Sequence, residues 1–381
     1  MLAISFIFCC VMIVYPYAIY PLILKIMSLF LNREMVIKND TPSVTFIISA
    51  FNEEDVIEEK IRNTLALNYP KEKLEIIVVS DHSTDRTDEI VKNFSRQGVV
   101  LLSQLIRRGK TAGLNDAVQK AEGEILVFSD ADAMYETDSL KKMAGCLSGN
   151  ASVGLVTGST YYRSKGDGKI VATTSMYMRL ERFIKRWESM LGSCVGADGA
   201  IFAIRKVLYQ PLLNDDINDL VLPLKVIKQG YRVVFHDNLF CSEAPAANAS
   251  GEFNRQARIT NRTLRALSRN AELMNVFKHP LFSFELISHK LLRFTVPFFM
   301  LSLIPLNVLL LRQGTIYYLT LAVQIVIYSV SLFRFLQERS GKEGKLLNFL
   351  YHFVLVNVSM LTGWIKFLSG QKSVIWNPQR Q

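Results

Sequence analysis

A charge-free apolar run at the start of the chain most constrains its fold. Residues 2–23 contain no charged side chain, and roughly 20 apolar residues are enough to cross a bilayer as a helix. No basic segment precedes this run and no small-residue cleavage site follows it, which favours a retained anchor over a cleaved leader. We therefore predict an N-terminal transmembrane anchor over residues 1–31.

Three further apolar runs lie near the other end of the chain, and the charges around them predict an orientation. They fall near residues 294–311, 315–332 and 347–368, inside a predicted membrane segment at 294–370 that precedes a tail at 371–381. Basic residues follow the first run and fill the loop before the last one: Lys25, Arg33, Lys38, Arg334, Arg339, Lys342 and Lys345. Because basic loops stay in the cytoplasm, this pattern predicts a multi-pass protein of a bacterial-type plasma membrane with its middle region cytoplasmic and both termini outside.

The charge balance and the cysteines narrow the classes of partner and site. The net charge is +10, which is typical of proteins that bind nucleic acid or an anionic membrane surface. No nucleic-acid-binding motif is present, so we predict the lipid bilayer as the partner, with basic amphipathic helices in the membrane interface over residues 251–293. The five cysteines form no CxxC pair and predict neither a zinc site nor a disulfide framework.

Between the apolar runs, residues 43–250 alternate between apolar strands and helices. Strands are predicted at 44–50, 74–79, 99–102 and 125–128, and this alternation is typical of a parallel α/β sheet. Polar residues follow three of these strands: Asn52, Glu54, Asp81, Asp130 and Asp132. Because a doubly wound sheet binds its ligand at the carboxyl ends of its strands, we expect these side chains to line one crevice.

Asp130 and Asp132 raise a specific question, since two carboxylates on one tight turn repel each other. A divalent metal that also binds a diphosphate would relieve that repulsion. In the alternative, Asp132 caps the helix that follows, and this segment alone leaves both interpretations open. Lys110 is expected to meet a phosphate. Although Gly109-Lys110-Thr111 looks like the end of a P-loop, Gln104 stands where its first glycine would be, which argues against ATP hydrolysis.

Taken in order, these motifs resemble the membrane-bound family 2 glycosyltransferases, which are inverting enzymes of the GT-A fold related to cellulose and hyaluronan synthases. The resemblance covers residues 44–262 and rests on five segments: 50–54, 79–85, 109–115, 130–132 and 196–200. It implies a Rossmann-like GT-A domain with a mostly parallel sheet, one transmembrane helix before it and about three after it. It also implies a nucleotide-sugar donor, UDP-linked, and Mg²⁺ or Mn²⁺ as cofactor.

The resemblance also assigns roles to individual residues. The nucleotide-binding positions are Asn52, Glu54, Asp81, Lys110 and Asp130; the metal positions are Asp130 and Asp132; Gly199 lies in the loop that borders the acceptor.

Asp219 matches the position of the family's catalytic base. It opens a segment that leads to Gly230-Tyr231-Arg232, with Asn218 in place of the usual glutamate. Such a carboxylate takes the proton of the acceptor hydroxyl, although an acid at a helix start is also stabilised by the helix dipole alone. Asp215 and Asp216 are rivals for the same role.

One departure from the family pattern bears on the product. Processive synthases carry Gln-x-x-Arg-Trp near the membrane, whereas this chain has Arg255-Gln-Ala-Arg258-Ile259. Without the tryptophan platform we predict a single transfer to a membrane-presented, lipid-linked or saccharide acceptor in cell-envelope glycan synthesis, with Arg255 and Arg258 on the acceptor side. A processive polysaccharide synthase, a nucleotidyltransferase and a catalytically inactive membrane scaffold remain the alternatives.

Overall fold

A computed structural model describes residues 1–31, 33, 35–162, 176–243, 249–339 and 348–374. The chain divides into two compact units, and three stretches of chain contribute to each. One unit comprises Met1–Leu22, Asn248–Arg265 and Ile287–Lys372, and the other comprises Ile23–Ala247, Ala266–Leu286 and Ser373–Gln381.

The second unit is built on a sheet of eight strands among the described residues. In chain order these are β1 (Val44–Ala50), β2 (Leu74–Ser80), β3 (Val99–Ser103), β4 (Ile125–Asp130), β5 (Met134–Tyr135), β6 (Val153–Tyr162), β7 (Phe202–Arg205) and β8 (Arg232–Glu243). Their spatial order is β3-β2-β1-β4-β7-β6-β8-β5. The predicted strands at 44–50, 74–79, 99–102 and 125–128 are therefore confirmed.

Helices connect these strands. In the parts of the chain that the structure describes they are α3 (Ile57–Leu65), α4 (Thr87–Lys92), α5 (Lys110–Lys120), α6 (Ser139–Gly149), α7 (Met176–Leu191) and α8 (Asn218–Lys228). Every residue of β1 is buried, as is β4 up to Ser129. Such continuous apolar runs suit strands that are covered on both faces.

The sheet changes direction at β4. β1 pairs in parallel with both β2 and β4, and β2 does so with β3. β7, in contrast, is antiparallel to β4, with Val127 opposite Ala203 and Phe128 opposite Phe202. The sheet is thus parallel over its first four strands, as the sequence predicts, and mixed beyond them. Since β7 runs backwards, its first residue lies at the carboxyl end of β4.

The first unit consists of helices, most of which are apolar. Its elements are α1 (Leu2–Val14), part of α2 (Tyr20–Met27), part of α9 (Ala249–Arg269), α11 (Leu292–Leu310), α12 (Thr315–Arg339) and α13 (Asn348–Leu368). Phe6, Cys9, Leu303 and Leu310 form a buried cluster between α1 and α11. A Cβ at Gly363 on α13 would lie 2.5 Å from the Thr260 side chain, so α13 and α9 need this glycine to pack so closely.

Four described helical segments are long and apolar enough to cross a membrane: Leu2–Met27, Pro280–Gln313, Thr315–Gln337 and Asn348–Leu368. They support the four crossings predicted from the sequence. The second one takes in α10 (Pro280–Leu286) and so begins before the predicted boundary at residue 294. The predicted interface segment is helical over α9 and α10. Residues 340–347, which include much of the basic loop, and residues 375–381 of the predicted tail lie outside the described residues.

Candidate functional site

The two acids of the turn after β4 are held by secondary structure on both sides. Asp130 is the last residue of β4, and β5 begins two residues after Asp132 and pairs with β8 through Met134 and Tyr135. The next helix, α6, begins only at Ser139, with Asp138 at its N-cap position. The alternative in which Asp132 caps that helix is therefore wrong, and both carboxylates remain in the partly exposed turn.

Lys110 lies beside this acid turn. It is the first residue of α5, and its ammonium group donates a hydrogen bond to Asp130 Oδ1. Gly109 precedes it with φ of +86°, a conformation that glycine adopts without strain. A helix N-terminus together with a lysine favours an anion, so this corner suits the phosphates of a nucleotide.

Asp81, at the end of β2, organises the loop that leads to Lys110. Its carboxylate accepts hydrogen bonds from the amides of Arg108 (2.8 Å) and Gly109 (3.0 Å). The guanidinium of Arg107 lies 3.5 Å from the centroid of the Phe51 ring. Asp81 and Phe51 belong to the lining of a pocket, which consists of Ser49, Ala50, Phe51, Val79, Asp81, Gly109, Lys110 and Gly113. The pocket lies at the carboxyl ends of β1 and β2, where the sequence predicts nucleotide binding.

Asn52 and Glu54 bind the loop that follows β2. Asn52 adopts φ of +53°, and its Oδ1 accepts a 2.8 Å hydrogen bond from the amide of Thr84. Glu54 Oε2 accepts hydrogen bonds from the amide and the guanidinium of Arg86. Both residues thus fix the loop after β2, and their contact with a nucleotide stays a prediction.

Asp219 lies in the first turn of α8, as the sequence predicts. Its Oδ2 atom is 3.2 Å from the position that a Cβ on Gly199 would take. Its backbone carbonyl accepts a 2.7 Å hydrogen bond from the amide of Ala197. Pro223, inside the same helix, has no N–H to donate to the carbonyl four residues before it. The proline therefore leaves the Asp219 carbonyl to the loop at 196–200, which we call the acceptor loop.

The two rivals for the role of base are engaged elsewhere. Asp215 and Asp216 are 6% and 5% exposed, and each lies 2.7 Å from the Arg269 guanidinium. This pairing, with hydrogen bonds to both carboxylates, raises the pKa of Arg269. Arg269 belongs to the basic segment at 251–293 that the sequence predicts to lie in the membrane interface. It instead fixes the loop before Asp219, which favours Asp219 as the base.

The acid turn and the acceptor loop are joined by contacts that the sequence does not predict. The Tyr135 hydroxyl donates a 2.8 Å hydrogen bond to the Ala200 carbonyl. Lys185, on α7, donates a 3.0 Å hydrogen bond to the Ala197 carbonyl. On the donor side, Thr111 Oγ1 donates to the carbonyl of Asp216. The nucleotide corner (Asp81, Gly109 and Lys110), the acid turn (residues 130–132) and α8, which carries Asp219, thus form one connected site.

Lys60 is a further buried charge beneath the acid turn. Burial lowers its pKa to about 7, against the opposing effects of Cys241, Asp132, Asp130 and Glu243. One sequence signal points to it, since Lys60 interrupts the apolar face that α3 builds from Ile57 and Ile61.

The donor set fits a hard divalent cation. Asp130 and Asp132 offer carboxylate oxygens, which Mg²⁺ and Mn²⁺ prefer. Among the described residues, no group of three or more His, Cys, Asp or Glu side chains could hold a metal on its own. Two carboxylates leave coordination positions for the oxygens of a diphosphate, as is usual where a metal is shared with a substrate.

Comparison with known proteins assigns a family to the central part of the chain. Residues 45–213 match the model of glycosyl transferase family 2. This part of the chain is a family 2 glycosyltransferase domain. The matched residues include the nucleotide corner, the acid turn and the acceptor loop, whereas Asp219 lies just beyond them. The predicted resemblance is thereby confirmed.

Relatives of this family 2 domain include poly-β-1,6-N-acetyl-D-glucosamine synthases of two staphylococci. The chain is 29% identical to the Staphylococcus epidermidis protein over 46% of its own length and 43% of the relative's. It is 29% identical to a Staphylococcus aureus protein over 55% and 52%. The chain thus matches about half the length of these relatives.

The fold has a solved counterpart. The mannosyltransferase of Pyrobaculum calidifontis, in complex with GDP-Man and Mn²⁺, superposes with a TM-score of 0.74 at 20% identity. The superposition covers 98% of this chain and 100% of that one. The predicted GT-A fold with flanking apolar helices is confirmed.

Arg255 and Arg258 belong to the first unit, which contains most of the apolar helices. Both lie on α9, and Arg255 is within 3.7 Å of Glu252 one turn earlier. Their place on the acceptor side stays a prediction.

Proposed function

We propose that this chain is an inverting, metal-dependent glycosyltransferase of the membrane. It moves a sugar from a UDP-linked donor to a lipid-linked or saccharide acceptor presented at the cytoplasmic face, in the synthesis of a cell-envelope glycan. The observation that carries the proposal is the connected site, in which Asp130, Asp132 and Lys110 lie on one side and Asp219 on the other. The presence of all four of these residues in one chain also speaks against an inactive scaffold.

The chemistry assigns each side a task. Asp219 accepts the proton of the acceptor hydroxyl as that oxygen attacks the anomeric carbon from the face opposite the diphosphate. Lys110 and the N-terminus of α5 bind the phosphates. Asp130 and Asp132 would hold Mg²⁺ or Mn²⁺, which supplies positive charge to the leaving diphosphate. Asp81 keeps the loop before Lys110 in place beside the nucleotide.

A donor screen tests the proposal. The detergent-solubilised chain with Mn²⁺ is mixed in turn with UDP-N-acetylglucosamine, UDP-glucose and GDP-mannose, and thermal unfolding is recorded. We expect UDP-N-acetylglucosamine to stabilise the protein, by about 2.7 kcal/mol at a hundredfold excess over Kd, and its sugar to pass to total membrane lipid. Stabilisation by GDP-mannose alone would contradict the UDP assignment, and no response to any donor would contradict the proposed activity.

A processive polysaccharide synthase is the second candidate. The names of the staphylococcal relatives favour it, whereas Ile259 at the tryptophan position favours a single transfer. The two differ in product length. With one radiolabelled donor, we expect a lipid-sized product, and a long polymer from the purified chain would establish the synthase instead.

A further inference from the structure

Helix α3 carries a lysine where its neighbours are apolar. Lys60 is fully buried, with 0% of its surface exposed, between Ile57 and Ile61 on the face that packs into the core. An ammonium group removed from water is costly unless protein groups replace its hydration. A methionine or leucine would fill the same space without that cost, so the charge itself requires an explanation.

Two of the three groups around the Lys60 ammonium, Ala133 and Tyr135, lie directly after the acid turn. Its Nζ donates a hydrogen bond to the carbonyl of Ala133, the residue that follows Asp132. The same atom is 4.2 Å from the ring centroid of Tyr135 and 5.0 Å from that of Phe46. Aromatic faces of this kind attract a cation. One carbonyl and two rings thus hold a positive charge beneath Asp130 and Asp132.

One turn later, Asn63 binds the next part of the same segment. Its Nδ2 donates to the Tyr135 carbonyl and its Oδ1 accepts from the Tyr135 amide, each at 2.9 Å. Both backbone groups of Tyr135 are therefore fixed to α3. The Tyr135 hydroxyl in turn donates to the Ala200 carbonyl. A path of hydrogen bonds leads from α3 through the strand after the acid turn to the acceptor loop.

We propose that Lys60 is a positioning residue for the acid turn, and that Tyr135 relays this position to the acceptor loop. The proposal rests on the proposed function, since it assumes that Asp130 and Asp132 hold a metal shared with the donor. A cation below two carboxylates keeps the charged pair together before the metal binds. Outer groups of this kind orient the direct ligands of a metal and tune its affinity.

Substitution of Lys60 by methionine tests the first step. Mn²⁺ is titrated into the full chain in detergent with UDP present, and free Mn²⁺ is followed by electron paramagnetic resonance. We expect Lys60→Met to weaken Mn²⁺ binding by about 10- to 100-fold, the range found for groups that orient metal ligands. Its thermal unfolding should stay close to that of the unaltered chain, because removal of a buried charge offsets the loss of one hydrogen-bond donor to the Ala133 carbonyl.

Lys206 offers a matched control. Its Nζ also donates to a backbone carbonyl, that of Ala121, but at the amino end of β4, away from the acid turn. Lys206→Met should leave Mn²⁺ affinity unchanged. If Lys60→Met binds Mn²⁺ as tightly as the unaltered chain, the positioning role is wrong while the proposed function stands. If the unaltered chain shows no UDP-dependent Mn²⁺ binding, both proposals fail.

Two more variants keep the test decisive. Asn63→Ala removes both hydrogen bonds to the Tyr135 backbone and leaves Lys60 in place. If Lys60→Met does not fold, Mn²⁺ titration of Asn63→Ala tests whether contacts from α3 position the acid turn. Tyr135→Phe removes only the hydroxyl that reaches Ala200. We expect it to bind Mn²⁺ and donor normally yet to lower kcat or raise the acceptor KM severalfold. Unchanged kinetics in Tyr135→Phe would overturn the relay to the acceptor loop.

Discussion

The side chain of Asp219 lies directly against Gly199, with Oδ2 3.2 Å from where a Cβ on the glycine would stand. The backbone of Asp219 is tied to the same loop through the amide of Ala197. The acceptor loop therefore contacts the proposed base through both its side chain and its carbonyl. A change in this loop should alter the step in which the acceptor loses its proton before it alters donor binding.

Gly199→Ala tests that relationship. The added methyl group would push the Asp219 carboxylate away by a few tenths of an ångström, and since a shift of about 1 Å can cost roughly 100-fold in rate, we expect kcat to fall severalfold, by at most about 10-fold, with donor affinity unchanged. Steady-state kinetics and donor titration measure the two quantities. Gly192→Ala is the control, because its nearest non-adjacent atom would be Leu281 Cδ2 at an ordinary 3.5 Å. Equal effects of the two substitutions would contradict the prediction.

Asp219→Asn removes the base but preserves its shape. Loss of a general base costs typically 10²–10⁴ in rate, so we expect kcat to fall by about that factor. Thermal stabilisation by the donor with Mn²⁺ should persist, since the nucleotide corner is intact. Full turnover in this variant would return Asp215 and Asp216 to consideration.

Pro223→Ala should separate stability from activity. An alanine amide can donate to the Asp219 carbonyl and so compete with Ala197. Because proline inside a helix is less favourable than alanine by about 3 kcal/mol, we expect thermal unfolding to move upward, by up to about 2–4 °C for each kcal/mol gained. We also expect kcat to fall as the acceptor loop loosens. A variant that is both more stable and fully active would show that the freed carbonyl has no catalytic value.

Arg269→Met should destabilise the second unit. It leaves Asp215 and Asp216, 6% and 5% exposed, without their cation. Breaking a buried pair on one side costs about 3–5 kcal/mol, and we expect the lower end because Arg269 itself is 31% exposed. Thermal unfolding measures the loss. Adding Asp215→Asn and Asp216→Asn to Arg269→Met should restore part of the stability, and a further loss would contradict the charge argument.

Asp85 should contribute stability that depends on pH. Burial raises its pKa, but hydrogen bonds from Thr87 and from the Glu54 amide outweigh that effect and lower the pKa below 3.8. An acid with a lowered pKa stabilises the folded state above its unfolded value and loses that contribution as the pH falls through the folded one. We expect Asp85→Asn to lose about 1 kcal/mol at pH 7. The difference should shrink below pH 3.8, the unfolded value, and a constant difference from pH 7 to pH 3 would rule this out.

The fold was largely predictable because its strands are continuous apolar runs. Val44–Ala50 and Ile125–Asp130 could each be placed from hydrophobicity and the polar residues that end them. The direction of β7 was not predictable. It is set by pairing with strands far away in the sequence, Leu126 with Ile204 and Leu155 with Ile204, and no local pattern encodes such contacts.

The candidate site, like the fold, could be predicted only in part from the sequence. Asp130 and Asp219 stand in motifs that a reader of the sequence can recognise. Lys60 and Arg269 do not, since their importance comes from burial and from partners that lie far away along the chain. A lysine within an apolar helical face is the one signal that could have directed attention to Lys60.

The reversal of β7 has a consequence for how such a domain can diversify. The parallel strands β1 to β4 end in the nucleotide corner, while the acceptor loop leads into β7, whose first residue lies at the carboxyl end of β4. Had β7 run parallel to β4, that loop would lie at the amino ends of the parallel strands, roughly 13 Å away for a four-residue strand. Because β7 is antiparallel to β4, the strands that form the donor site and the strand that follows the acceptor loop meet at a single pair, β4 and β7. Exchange of the β6–β8 segment between relatives should transfer a new acceptor preference onto an unchanged nucleotide preference.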